Sequence, residues 1–452
     1  MIDRFHSAIV GVPFLRVDNG KGATVIIHEP RVREDGDEIS VEARVEVAQP
    51  GAVYPETLFF TFAGICREYV TSRADGFAAA LLPLAMWLGE SLEIRGDLSS
   101  RLAHGMRDYQ RIQSAWNPAV FRCVPVHCDR LRTWQHGETS GAVGVSFSGG
   151  VDSSYCLWSH LPDNEPYPSS RISHCVMING FDNDADLDNT GRFERIRHVY
   201  EPMMRGLDLE LVVVRTNLMH FLGSMLLKQA YGAFLTAPAL VLGRLFSRFY
   251  VPSNCKFTLL GMHPDGSHVM LDHLLRTETM EVIHDGAHLT RVEKTVALSK
   301  WTDTYDRLRV CLNATGVDDE TNAIRNCCAC EKCVRTMVTL EVVGALRNFS
   351  CFRKPLARRG TRRLDCRHHE SRIFANEIIE FAARSGRKDI ARDVRQAIRR
   401  SVWVSGNKLR PAVQRMARAS FRWEKRWKPY ATIVTGPKRL LQRMGFGRFL
   451  WS

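Results

Sequence analysis

The residues with the plainest chemistry are Ser148-Gly149-Gly150-Val151-Asp152-Ser153-Ser154. Two glycines flanked by hydroxyl residues let backbone N–H groups face outward with no Cβ to block a ligand. The apolar run "AVGVSFS" ends at Ser148, and Asp152-Ser153-Ser154 enters a helical stretch. Strand, glycine turn and helix N-terminus together make an anion cradle, because successive amides and the positive end of the helix dipole point the same way. Neither a GxxxxGK[ST] loop nor a GxGxxG turn is present here. A Gly-Gly turn without a ligand is the plain alternative.

A second constellation is "RVCLNATGVDDETNAIRNCCACEKCVRTM", which holds Cys311, Cys327, Cys328, Cys330 and Cys333. Cys327, Cys330 and Cys333 follow C-x2-C-x2-C spacing, so three thiolates on a turn leading into a helix can converge on one ion. Cys311, from the preceding loop, completes the tetrahedral set that structural zinc prefers. The polar neighbours Asn326, Glu331, Lys332 and Arg335 argue against five merely buried cysteines.

These residues need elements to hold them. From about Ser140, short apolar runs alternate with helical segments: "GAVGVSFS", Val151 to His160, "SHCVMING", Arg192 to Gly206, "LELVVVRTN". That order predicts an α/β parallel sheet with crossover helices. "FYVPSNCKFTLLG" is a further strand or a mobile segment. Upstream, "ISVEARVEV" alternates as a half-buried strand does, and "ETLFFTFAG" and "SLEIRGDLS" are further strands. "GFAAALLPLAMWLGE" and "SSRLAHGMRDYQRIQSAW" have helical spacing, the latter capped by Ser99 or Ser100. The domains expected are 1–135, an N-terminal α+β accessory unit; 136–352, the parallel-sheet unit with its four-cysteine site; and 353–452, a basic helical tail.

Charge separates the tail from the body. Residues 351–452 carry 27 Lys+Arg against 7 Asp+Glu, leaving 35 against 42 in the first 350 residues. A mildly acidic body with a strongly basic tail points to a polyanionic partner, a nucleic acid or another anionic surface. The apolar stretch Leu218 to Val251 is broken by Lys228 and Arg244, so buried helices are expected there, not a membrane span. The opening "MIDRFHSAIVGVPF" lacks a secretory pattern, and thirteen cysteines, five of them clustered, fit metal binding in the cytoplasm better than a disulfide framework.

"SGGVDSS", in its strand–loop–helix context, resembles the PP-loop of the ATP pyrophosphatase superfamily, whose fold is a HUP-like parallel sheet. The resemblance implies that Ser148, Gly149, Gly150, Val151, Asp152, Ser153 and Ser154 grip the pyrophosphate of ATP, with Asp152 helping to organise Mg²⁺. It also implies that Met177, Ile178 and nearby Asp182, at the end of "HCVMINGFD", read the adenine. "LTRVEKTVALSK" looks like the family's second phosphate segment, with Lys294, or Arg291 in its stead, reaching ATP. An exposed charged helix face accounts for that stretch equally simply. With Cys311, Cys327, Cys330 and Cys333 following Lys294 in order, the chain is nearest to 7-cyano-7-deazaguanine synthase-like proteins. Its spacer from Cys311 to Cys327 is longer than theirs, and the likeness covers only residues of roughly 140–350.

The implied chemistry is ATP cleavage to AMP and pyrophosphate, adenylating a carboxyl or amide oxygen that a nitrogen nucleophile then attacks. Expected cofactors are ATP, Mg²⁺ and Zn²⁺, and the acceptor is a small molecule or a modified nucleobase. No integrated glutaminase is visible, since residue 2 is Ile and Cys66 in "AGICRE" lacks a G-x-C-x-G elbow. Sulfur transfer to tRNA and a non-catalytic ATP-binding scaffold are the alternatives.

Overall fold

The computed structural model describes residues 24–48, 54–181, 190–260, 265–311, 316–356, 358–362 and 364–406. Asp182 and the tryptophan-rich end beyond 406 lie outside them. The chain divides into two compact units, Met1–Leu356 and Ala357–Ser452.

Strands of the first unit are β1 (Thr24–Ile27), β2 (Arg31–Asp35), β3 (Glu38–Val47), β4 (Thr57–Ala63), β5 (Ser91–Ser99), β6 (Val126–Arg132), β7 (Ala142–Ser146), β8 (His174–Asn179), β9 (Glu210–Thr216), β10 (Phe246–Pro252) and β11 (Glu281–Asp285). All join one mixed sheet, ordered β11-β10-β7-β8-β9-β4-β3-β1-β5-β6, with β2 against β3. A two-stranded ribbon of β12 (Gly316–Val317) and β13 (Ile324–Arg325) stands apart. The helices are α1 (Asp75–Leu88), α2 (Ser100–Trp116), α3 (Val151–Ser159), α4 (Thr190–Gly206), α5 (Met219–Val241), α6 (Phe257–Leu260), α7 (Arg291–Leu298) and α8 (Glu331–Val342).

Strands β9-β8-β7-β10-β11 run parallel, and the chain fills β8 and β9 on one side of β7 before crossing to β10 and β11 on the other. This is a Rossmann-like order with its topological switch at β7, where the carboxyl ends of the strands open a crevice. The crossovers are the helical segments that the alternating pattern predicts. β7 and β8 carry the apolar residues Val143, Val145, Cys175 and Met177 into the core beneath α3 and α4.

The expected boundary at 135/136 falls inside this sheet. β4 pairs antiparallel with β9 through Phe60–Thr216 and Phe62–Val214, so the N-terminal strands extend the sheet without forming a separate unit. Burying both flanks of that junction explains the result: Phe60, Phe62 and Val214 are all within one core that also holds α1 and α5. α1 is almost wholly buried, and its Asp75 accepts hydrogen bonds from Ser99 N (2.7 Å) and Trp134 Nε1 (3.2 Å). Ser99 is the residue that caps α2, accepting from Leu102 N at 3.0 Å. The apolar stretch 218–251 becomes α5, broken at Gly223 and Ala230, followed by β10. No described helix is long and apolar enough to cross a membrane.

The second unit contains α9 (Arg358–Thr361), α10 (His369–Arg384) and α11 (Lys388–Gly406). α10 and α11 bury facing stripes, Phe374, Ile378 and Ala382 against Ile390, Val394 and Ala397. Arg362 Nε is 2.9 Å from the buried Asp393 carboxylate.

Candidate functional site

The Ser148–Ser154 loop leaves the carboxyl end of β7, the switch-point strand, and runs into α3. Gly149 has φ +71°, a left-handed backbone, and a Cβ there would sit 1.7 Å from the Tyr200 hydroxyl oxygen. Glycine is required on both counts. Tyr200 is itself held by donating to the Arg307 carbonyl at 2.8 Å. Arg309 clamps the other side, its N–H donating to Gly149 O at 2.7 Å and its Nη1 to Ser148 O at 3.2 Å. Ser153 Oγ accepts from Ser148 N at 3.2 Å, closing the loop on itself.

This bonding spends the loop's carbonyls and leaves its donors. The amides of Gly149, Val151, Asp152 and Ser153 make no hydrogen bond to any described residue. The last three are the first turn of α3, where helix geometry supplies no intrahelical acceptor. A Cβ on Gly150 would meet Ser148 Oγ at 3.4 Å and the Arg309 carbonyl at 3.6 Å, ordinary contacts that would tolerate it.

Two further helices bring their N-terminal ends to the same place. α7 starts with a capping box: Thr290 Oγ1 accepts from Glu293 N at 3.1 Å, and Glu293 Oε2 accepts from Thr290 N at 2.7 Å. That cap sets Arg291 and Lys294 three residues apart on one face. Arg291 grips Asp152 through Nη2 and, at 3.3 Å, through Nε. Lys294, 1% exposed, has Nζ 3.6 Å from Asp152 Oδ1 and donates to Ser253 O at 2.5 Å, beyond the end of β10. Burial works to raise the Asp152 carboxyl, but Arg291 and Lys294 outweigh it and hold the group below its ordinary value. The same carboxylate drives the Arg291 guanidinium upward against its own burial.

α8 packs on α7 and adds Lys332 and Arg335. Burial, then the neighbouring Arg335 and Arg291, push Lys332 down to about 8. Burial and Arg291 push Arg335 down to about 10, although it pairs with Glu331 at 3.2 Å. Four basic side chains, Arg291, Lys294, Lys332 and Arg335, thus gather around Asp152 and Glu331. Such a surplus in a half-buried crevice favours an anion.

The four cysteines converge as their spacing predicts. The Sγ atoms of Cys311, Cys327, Cys330 and Cys333 all lie within 4.8 Å of one another. Backbone N–H groups of Ala329 and Cys330 donate to Cys327 Sγ at 3.4 and 3.2 Å, and Cys333 N donates to Cys330 Sγ at 3.5 Å. Four sulfurs so placed could hold a metal such as zinc. Asn326 joins the two halves: its Oδ1 accepts from Val310 N (3.0 Å) and Cys311 N (3.1 Å), and its Nδ2 donates to Leu308 O (2.8 Å). The segment 307–311 therefore runs from the Gly149 clamp directly into the cysteine cluster.

Met177 and Ile178 differ in what they offer. Val176 turns its carbonyl to the β7 side, accepting from Phe147 N at 2.8 Å. Strand alternation turns the Ile178 N–H and C=O the same way, past the last β7 pair at Ser146, whereas Met177 is turned towards β9 opposite Val213. Arg309, Asn326, Lys332 and Arg335 are site residues that motif reading does not pick out. Lys332 and Arg335 were legible as an i, i+3 pair on the cysteine helix; Arg309, in "RLRVC", carries no local signal.

Compared with family models, curated proteins and solved structures, the chain gives no match. Its own geometry defines an α/β protein whose largely parallel half has a crevice lined by open amides and cations beside a four-cysteine cluster.

Proposed function

We propose that this crevice binds ATP, cleaves it to AMP and pyrophosphate, and adenylates a carboxyl or amide oxygen of a small-molecule or modified-nucleobase acceptor for attack by a nitrogen nucleophile. The observation that carries the reading is the set of four open amides at Gly149, Val151, Asp152 and Ser153, placed at the switch point of the sheet. Those donors suit the outer phosphates of a nucleotide. Arg291 and Lys294 lie where charge develops on the departing pyrophosphate, and preorganised cations lower a barrier of that kind most. Ile178 offers one N–H and one C=O at the edge of the crevice, the pair an adenine edge needs.

Asp152 has both oxygens engaged by Arg291 and Lys294, so no step is assigned to magnesium; it enters as the ion that ATP carries. The four-cysteine set fits zinc as a closed structural centre. Cys311 and Asn326 would then brace the Arg309 clamp against the loop.

Nitrogen is favoured over sulfur transfer by the fate of the thiols. Four cysteines face one point, and the remaining Cys328 has its thiol pushed up by burial, the reverse of what a sulfur nucleophile needs. The basic second unit suits a polyanionic partner.

Calorimetry with Mg-ATP tests the reading directly. Binding by the wild-type chain, weakened at least about 100-fold in Lys294→Ala, is expected for a cation that touches the phosphates. Absence of heat with the wild-type chain would sink it. ATP–pyrophosphate exchange then separates an adenylating enzyme from a scaffold.

A further inference from the structure

Behind the anion loop, on the opposite end of α3, a second group of ligand-type side chains meets. Cys156 and His160 stand one helical turn apart, and Asp285 ends β11 beside them. Their Sγ, ring nitrogen and carboxylate oxygen all lie within 4.8 Å of one another. Glu165 also approaches the ring, its Oε2 4.0 Å from His160 Nε2, the same distance as Asp285 Oδ1.

The lone pairs decide what belongs between them. His160 Nδ1 is 2.9 Å from the Cys156 carbonyl, which can only accept, and 3.1 Å from Ser159 Oγ, whose own proton goes to that carbonyl at 3.0 Å, so a proton on Nδ1 suits both neighbours. In the neutral ring Nε2 is then a bare lone pair, aimed at two carboxylates and a sulfur. The ring is held in that orientation by Tyr250, whose centroid is 4.2 Å away. The Cys156 thiol hydrogen-bonds the Asp285 carboxylate, a proton that a cation bound between them would displace, and Asp285 Oδ2 is buried with no hydrogen-bond partner among the described residues. A histidine that donates its far N–H to a backbone carbonyl while presenting its other nitrogen to carboxylate and thiol is the outer arrangement of a metal site.

We propose that Cys156, His160, Asp285 and Glu165 form a second divalent-metal site, distinct from the four-cysteine cluster and of the zinc class. Mixed sulfur, nitrogen and oxygen donors select a borderline cation of that kind over magnesium or calcium. Tetrahedral zinc sets such donors roughly 3.3–3.6 Å apart, so the carboxylate oxygens 4.0 Å from His160 Nε2 move in by about half an ångström around the ion. Cys156 is fully buried, whereas Asp285 and Glu165 keep 18% and 15% side-chain exposure, which places the entry on the carboxylate side. The ion ties the last turn of α3 to the end of β11, and so fixes the helix whose first turn supplies the open amides. The assignment stands whether or not the loop binds ATP.

The test is metal stoichiometry on the full-length chain, dialysed to equilibrium against buffered free Zn²⁺ and counted by atomic emission. Two zinc ions per chain are expected for the wild type. In Cys156→Ser and in Asp285→Asn one ion remains and the other binds at least about 100-fold more weakly, the top of the range for losing even an outer partner. Cobalt substitution reads the same loss as a drop in one-thiolate charge-transfer absorbance with the four-thiolate bands intact. Circular dichroism checks folding. Should Cys156→Ser fail to fold, the partly exposed Asp285→Asn decides. One ion per chain in the wild type, or two in both variants with affinity unchanged, overturns the site and leaves an imidazole between two carboxylates.

Discussion

Asp152→Asn perturbs the crevice at its balancing point. The carboxylate lies 3.6 Å from Lys294 Nζ, an attraction of about 5 kcal/mol at an effective dielectric near 20, and it grips Arg291 as well. Much of that attraction repays the desolvation of the ions. Removing one member of a buried set leaves the others uncompensated, at a net cost of about 3–5 kcal/mol. Arg291 and Lys294 are 14% and 1% exposed at the side chain, so solvent does little to relieve them. For a unit of this size the melting temperature should fall by about 4–7 °C. Inorganic pyrophosphate supplies the missing charge. At a concentration of about 100 Kd it stabilises the wild type by about 2.7 kcal/mol. It should bind Asp152→Asn about tenfold more tightly, because both cations are released to it. Thermal melts with and without pyrophosphate, with calorimetry for affinity, read both quantities. A variant that melts with the wild type, or a pyrophosphate affinity that does not rise, would refute the charge-deficit reasoning.

Three other outcomes follow from the same geometry. Gly149→Ala must move its Cβ out of the Tyr200 hydroxyl at 1.7 Å and adopt a left-handed φ, costing about 1–2 kcal/mol for backbone strain before any clash, while Gly150→Ala should melt as the wild type does. Stripping the four-cysteine metal, or Cys327→Ser, should release residues 307–311 and weaken pyrophosphate binding about tenfold, measured by calorimetry; unchanged binding would mean that the cluster does not brace the loop. Asp75, raised to about 6 in the folded chain chiefly by burial, starts from 3.8. Its contribution is full below the unfolded value and is lost as pH rises through the folded one. Stability should therefore fall by about 2–2.5 kcal/mol from this group between pH 4 and 7, as followed by denaturant unfolding, and Asp75→Asn should flatten that slope.

What the sequence determines alone is local. "SGGVDSS" specifies a glycine turn between a strand and a helix, because the left-handed φ at Gly149 and the free amides of the first helical turn are properties of a few adjacent residues. C-x2-C-x2-C spacing brings Cys327, Cys330 and Cys333 together for the same reason, and Ser99 caps α2 through its own third neighbour. Alternation in "ISVEARVEV" and "SLEIRGDLS" marks strands with one buried face. β2 and β6 escape such reading because they are mostly exposed, and an edge strand that buries little carries no period.

Contacts between distant segments belong to the tertiary structure. Antiparallel pairing of β4 with β9, which merges the N-terminal strands into the sheet that carries the parallel strands, joins residues more than 150 positions apart and leaves no local trace. Arg291 and Lys294 read only as a charged helix face until packing of α7 on α3 presents Asp152 to them. Arg309 becomes a loop clamp, and Asp285 a neighbour of Cys156 and His160, only once the chain has crossed the switch at β7. Charge and lone-pair chemistry fall off within a few ångströms, so which groups act together is settled by where the sheet order and helix packing bring them, not by their spacing along the chain.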